Sequence, residues 1–107
     1  MPFFDTSKLT PKTLAPGVNL RITWGERIMT NVVELAPGAL VATHAHPAEQ
    51  MGVVMEGSVT MVIGKERKTL GPGDVYLAPS NVEHSVQNGP AAARLVDIFS
   101  PPREDYK

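Results

Sequence analysis

An all-β sandwich or barrel of about nine short strands is the fold class this chain predicts, and three observations predict it. Ten Pro and nine Gly are spread over 107 residues, and the longest stretch free of both, Glu26 to Ala36, has eleven. That spacing excludes long helices, coiled coils and bundles, because Pro in a helix interior costs roughly 3 kcal/mol and Gly about 1. Between the breakers lie short runs rich in β-branched residues, bounded by turn signals. Some of these runs alternate apolar and polar residues, as half-buried strands do.

The elements follow in order. Residues 1–17 are polar and punctuated by Pro2, Pro11 and Pro16-Gly17, and they read as an arm with little regular structure. Residues 18–107 then form a single domain. Val18 to Trp24 alternates, with Val18, Leu20, Ile22 and Trp24 on one face. Ile28 to Leu35 is a second strand, stopped by Pro37-Gly38, and Leu40 to His46 is a third. Gln50 to Met55 turns through Glu56-Gly57-Ser58 into Val59 to Ile63, which turns at Gly64-Lys65 into Arg67 to Leu70. After the loop Gly71-Pro72-Gly73 come Asp74 to Ala78, His84 to Gln87 and Arg94 to Phe99.

Several of these strands are apolar on both faces: Val53, Val54 and Met55 run together, and Val96 and Ile98 alternate with Leu95, Asp97 and Phe99. A strand with one solvated face should alternate. A second apolar face in so small a chain predicts sheet packing between the subunits of a homodimer. The alternative is that the chain's own arm covers that face.

Composition excludes several function classes. Ten Lys plus Arg balance eleven Asp plus Glu, so the basic excess of a nucleic-acid binder is missing. No run approaches the 20 or so apolar residues of a membrane helix. The first residues lack the basic-then-apolar pattern of a signal peptide. Without cysteine there are no disulfides, no thiol catalysis and no zinc–thiolate site. A cytoplasmic protein is the default expectation.

The three histidines are the scarce chemical resource. His44 and His46, two apart on a strand, would face the same side at about 6–7 Å along the chain and could converge on one metal ion. His84 follows 38 residues later. Imidazole suits Zn, Fe, Ni, Cu and Mn to varying degrees.

The stretch Gly38-x5-His44-x-His46-x3-Gln50-x6-Gly57 resembles the first motif of the cupin family, and Gly73-x5-Pro79-x-Asn81-x2-His84-x3-Asn88 resembles the second. The two cover about half the chain. The resemblance implies a double-stranded β-helix, a jelly-roll barrel, with one divalent metal ion (Zn, Ni, Mn or Fe) in its mouth. It implies His44, His46, the residue at position 50 and His84 as ligands. Two positions depart from the family pattern. Asn81 replaces a glycine, a mild change because Asn tolerates the left-handed turn. Gln50 replaces the usual acid. Glu49 is out of register by one residue, which on a strand turns the side chain to the other face.

Gln50 changes the charge. Three neutral imidazoles and a neutral amide leave the double positive charge of the ion uncompensated, so its open positions should attract a small carboxylate-bearing ligand and polarise carbonyl or enol oxygens. The alternative is that Gln50 only packs and three histidines hold the metal, as in many catalytic sites. The electrostatic consequence is the same.

The C-terminal stretch Asp97-x-Phe99-x-Pro101-x-Arg103-x-Asp105-Tyr106 is the second chemical cluster. Asp97 shares a strand face with Leu95 and Phe99. An acid between apolar neighbours is costly to bury unpaired, and its pKa should rise into the range of a general acid–base. The alternative is a structural ion pair with Arg94 or Arg103. This stretch, together with His46-Pro47-x-Glu49-Gln50, is similar to the pectin-degradation KdgF family of small uronate ring-opening cupins. That resemblance implies a three-His-plus-Gln metal site, with Asp97, Phe99 and Arg103 acting on the substrate. The activity implied is opening and tautomerisation of 4,5-unsaturated monouronates, the products of pectin or alginate lyases, to linear keto acids. Two rival activities on the same barrel are an iron dioxygenase and a non-catalytic sugar-binding module. Arg21, Arg27, Arg94 and Met29, Met51, Met55 and Met61 receive no role, since Met at strand spacing is usually core filler.

Overall fold

The computed structural model describes residues 2–107 and holds ten strands. They are β1 (Lys12–Ala15), β2 (Val18–Trp24), β3 (Met29–Leu35), β4 (Leu40–His44), β5 (Glu49–Glu56), β6 (Val59–Ile63), β7 (Glu66–Leu70), β8 (Val75–Ala78), β9 (His84–Asn88) and β10 (Ala93–Ser100). Two antiparallel sheets face one another. The larger runs β1-β2-β3-β10-β5-β8 and the smaller β4-β9-β6-β7. The family resemblance implied this jelly roll, and the alternation explains it. Met29, Asn31, Val33 and Leu35 on β3, and Ala93, Leu95, Asp97 and Phe99 on β10, all point into the space between the sheets and are buried. Val59 and Met61 on β6 and Val86 on β9 close the core from the smaller sheet.

The arm is more ordered than its composition predicts. A 3₁₀ turn at Thr6–Lys8 is capped by the Asp5 side chain, and β1 adds an edge strand by pairing with β2 around a bulge. Pro11 and Pro16 flank β1 without entering it, so they break the pattern at its ends only. Trp24, placed on the inner face by alternation, is 43 % exposed at the end of β2. There Ile22 and Thr23 are the last residues in the sheet's cover, and the Lys107 ammonium lies over the indole.

Turn chemistry follows the residue types. Gly38, Gly57 and Gly73 all take positive φ, and Asn81, standing where the family carries glycine, does so at φ 65°. At Gly57 a side chain would also strike the Ala92 carbonyl at 2.7 Å, so the position needs glycine twice over. Asn88 ends β9 buried, its amide donating to the carbonyls of Leu35, Ala36 and Ala91 while its oxygen accepts from Gly89 N–H. It satisfies backbone groups that the sharp turns would otherwise orphan.

The outer face of the larger sheet is apolar and open in the single chain. Met51, Val75 and Leu77 are 46, 60 and 43 % exposed. The arm does not cover them: its Thr6, Ser7 and Leu9 carbonyls accept from Arg21 on β2, at the far side of that sheet. No helix among the described residues is long and apolar enough to cross a membrane.

Candidate metal centre and adjoining acid

All seven side chains predicted from the sequence meet at one end of the barrel. His44 ends β4, His84 opens β9, and Gln50, second on β5, pairs with Phe99, next to last on β10. His46 lies just past β4, in the link to β5, and not on a strand as its spacing predicted. What turns His44 inward is a bulge. Val41 pairs with Val86 and His44 with His84, so Ala42 and Thr43 on β4 together oppose the single Ser85 on β9. Three positions apart on a regular strand, Val41 and His44 would face opposite sides, and the extra residue brings them to the same one; bulges re-aim side chains in this way beside functional sites. The three imidazoles then stand with ring centroids 4.2, 5.0 and 5.7 Å apart.

Each ring is held through Nδ1 by a backbone carbonyl: His44 by Ala42 at 2.8 Å, His46 by Ala48 at 2.8 Å, His84 by Val82 at 2.9 Å. A carbonyl can only accept, so each Nδ1 carries the proton and each Nε2 keeps a lone pair. Burial also lowers the pKa of His46, helped by the charge of Arg103, and burial with the neighbouring imidazoles lowers that of His84. Both shifts favour the neutral ring.

Gln50 lies inside the barrel and its neighbour Glu49 outside, as the register argument requires. Its Oε1 lies 2.9 Å from His46 Nε2 and 3.1 Å from His84 Nε2, while its Nε2 donates to the Tyr76 hydroxyl at 2.9 Å. One ring nitrogen from each of the three histidines falls within 4.8 Å of the others. Three lone pairs and an amide oxygen thus converge with no proton between them. That is an electrostatic deficit which a divalent cation would fill, and the N₃O set would suit Zn, Ni, Mn or Fe. The backbone carbonyls are the kind of outer partner that orients histidines toward a metal.

One strand layer deeper sits Asp97, buried between Asn31 on β3 and Gly52 on β5. It forms no ion pair with either candidate arginine among the described residues: Arg94 pairs with Glu56 at 3.1 Å and Arg103 with Asp105 at 2.8 Å. Its partner is the Tyr76 hydroxyl, which donates to Oδ1. Burial raises the Asp97 pKa to about 6, against the opposing pull of the Tyr76 and Gln50 contacts and the Arg103 charge. Burial, reinforced by the Asp97 charge, drives the Tyr76 phenol well above its ordinary range, so it stays protonated.

Arg103 lies over the mouth, its guanidinium 3.9 Å from the Tyr106 ring centroid and 5.3 Å from that of Phe99. Asp105 clamps Nε and Nη2 at 3.3 and 2.8 Å. Burial pushes the Asp105 carboxyl up, but the hydrogen bond and charge of Arg103 outweigh it and its pKa falls. Nη1 is buried without a hydrogen-bond partner among the described residues, a free donor lining the cavity. Phe99, 1 % exposed, packs edge-on against His46 and Tyr106.

Four contributors were given no role in the sequence reading, although Asp105 and Tyr106 fall within its C-terminal cluster. Asn31 is 2 % exposed, with an Oδ1 that lacks a partner among the described residues, and it lines the same cavity opposite Asp97. Tyr76, Asp105 and Tyr106 hold the residues that were singled out. The only sequence signal was the acid–aromatic pair after Arg103.

A cupin domain model matches residues 31–99. Over 106 residues the chain is 36 % identical to the pectin degradation protein KdgF of Dickeya dadantii, covering 97 % of this chain and 96 % of that protein. The solved structure of KdgF from a Halomonas species superposes with a TM-score of 0.93 at 27 % identity, covering 100 % of this chain and 99 % of the other. An RmlC-like cupin from Shewanella frigidimarina gives a TM-score of 0.93 at 26 % identity, covering 100 and 96 %.

Proposed function

Because this chain belongs to the cupin family and is a full-length homologue of a pectin degradation protein, we propose that it opens and tautomerises 4,5-unsaturated monouronates to linear keto acids. The observation that carries this reading is the placement of Asp97, an acid–base group poised near pH 6, one layer beneath the converging His44, His46, His84 and Gln50 donors. The ligands are these four side chains. A bound divalent ion would supply Lewis-acid polarisation and the positive charge that a uronate carboxylate seeks.

The chain's own groups supply the rest. Asp97 as the carboxylate takes the proton of the anomeric hydroxyl, the ring C–O bond breaks, and an aldehyde and an enolate result. The same carboxyl then returns that proton to the enolate carbon that was the distal end of the double bond, leaving a ketone. The sum is an isomerisation that needs no oxidant. Arg103 offers Nη1 to a substrate oxygen, its other nitrogens being held by Asp105. Asn31 Oδ1 is available to accept from a sugar hydroxyl. Phe99 walls the pocket behind His46.

The test is an ultraviolet assay on unsaturated galacturonate and on its alginate-derived counterpart. Loss of the conjugated band faster than the spontaneous rate, abolished by chelator, is the expected result. No acceleration with either sugar would sink the proposal, and oxygen uptake with bound iron would replace it with dioxygenase chemistry.

The protein acts, on this reading, as a cytoplasmic homodimer joined through the open face of the larger sheet. Pairing sets Met51 beside Leu77 and Ile98, and Val53 beside Val75 and Val96, which makes one continuous apolar patch across β8, β5 and β10. Such a patch is self-complementary about a two-fold axis. Met51→Lys should convert a dimer to a monomer by light scattering without changing metal binding. A wild-type chain that is monomeric at micromolar concentration would contradict this.

A further inference from the structure

We propose that Tyr76 is a positioning residue that keeps the metal site open, by holding the Gln50 amide with its oxygen toward the histidines. This rests on the reading of His44, His46, Gln50 and His84 as metal ligands.

The orientation of that amide is a choice between two arrangements. With Nε2 turned toward the histidines, its two hydrogens would meet the lone pairs of His46 and His84, which lie 2.9 and 3.1 Å from the atom now facing them. The cluster would then be satisfied internally, with donors matched to acceptors, and closed to a cation. The structure holds the opposite arrangement, in which acceptor faces acceptor. Left to the histidines alone, the amide would flip.

Tyr76 removes the choice. Its hydroxyl has one hydrogen, and it donates to the Asp97 carboxyl oxygen beside it. That hydrogen is therefore committed to Asp97 Oδ1, and the phenolic oxygen is left as an acceptor. The Gln50 atom 2.9 Å away must then be the donor, Nε2, which turns Oε1 to the histidines. The polarity of a two-bond chain, from amide to phenol to carboxylate, thus fixes which atom the metal would meet. The chain lies wholly in buried surroundings, where an acceptor–acceptor contact at the Tyr76 end would be expensive.

The backbone is arranged for this chain. Asp97, Gly52 and Tyr76 stand at one register across β10, β5 and β8. The middle position is glycine, and a Cβ there would lie 2.5 Å from the Tyr76 ring and closer still to the Asp97 carboxylate. The missing side chain is the slot through which phenol and carboxylate reach each other across the intervening strand. No turn and no positive φ calls for glycine at this position, so a residue ordinarily unfavourable in mid-strand has its reason in the contact it permits.

The test is Tyr76→Phe, which keeps the ring and its packing and removes only the hydroxyl. Zn²⁺ affinity, measured by competition with a chromophoric chelator, should fall by about tenfold or more, the usual effect of losing an outer-shell partner. The same measurement in a Gln50→Ala background separates positioning from packing. If Tyr76 acts through the amide, its removal there should change affinity by less than about twofold, because coupled residues are not additive. Unchanged affinity in Tyr76→Phe, or an equal loss with and without Gln50, overturns the proposal. A wild-type chain that binds neither Zn²⁺ nor Ni²⁺ overturns the ligand assignment beneath it, and this proposal with it.

Discussion

Asp97→Asn should lower turnover of an unsaturated uronate by about 10²–10⁴-fold, the usual contribution of a positioned acid–base group. The substitution is close to isosteric. The carboxamide oxygen it introduces can still accept from the Tyr76 hydroxyl, so the amide–phenol chain and the metal affinity should survive. What is lost is the buried carboxyl that takes and returns the proton. The folded pKa of about 6 lies above the ordinary value of 3.8, so the folded chain binds this proton more tightly than the unfolded chain. The associated stability is present below the unfolded value and is lost as pH rises through the folded one. At pH 7 the wild type therefore carries a buried, disfavoured charge, a cost on the order of a few kcal/mol at about 1.4 per unit. Asp97→Asn should be far less active and at the same time more stable at pH 7. Wild-type activity should rise with pH through about 6, and the residual activity of the variant should lack that limb. Full activity in metal-loaded Asp97→Asn, measured with the same band-loss assay, would remove Asp97 from the chemistry.

How much of this was legible in the chain depends on whether the deciding contact is local. Inward and outward sets follow from alternation, which is why Asp97, Leu95 and Phe99 were placed on one face and are buried together. The same arithmetic separated Gln50 from Glu49. The spacing of His44 and His46 pointed to convergence for an incomplete reason. They converge through a bulge at one and a link at the other, because an extra residue in a strand is decided by the partner strand and leaves no local pattern. The edge strand β1 was hidden for a similar reason, since Lys12 to Ala15 alternates weakly and is recruited by pairing with β2. Tyr76 reads as core on an alternating strand. Its hydroxyl gains a role only because a glycine 24 residues earlier in the chain clears the way to Asp97. Met51 and Met55 were set aside as filler, whereas only Met29 and Met61 fill the core.

Removing one histidine should have the other large effect, and it can be read without substrate. Metal that binds only the folded chain stabilises it by about 2.7 kcal/mol when free ion is at about 100 times Kd. At about 4–8 °C per kcal/mol for a domain near this size, Zn²⁺ or Ni²⁺ should raise the wild-type Tm by about 10 °C or more. His84 is buried at the base of the cluster, so His84→Ala loses a ligand and also leaves a cavity. His44 is only half-buried at the rim, so His44→Ala loses the same kind of ligand with little packing cost. Both should abolish the metal-dependent rise in Tm and reduce turnover to the spontaneous rate, while only His84→Ala lowers the metal-free Tm appreciably. The contrast separates ligation from packing at one site. It also tests the lone-pair deficit directly. In the metal-free wild type, neutral His46 and His84 face the Gln50 oxygen across 2.9 and 3.1 Å with no proton between them, and deleting one of those rings relieves part of that repulsion. The metal-free cost of His84→Ala should therefore be smaller than a cavity of its size predicts. A full cavity penalty, or a metal-induced rise in Tm that persists in either variant, would show that the cluster is ordinary packing and that the ion binds elsewhere.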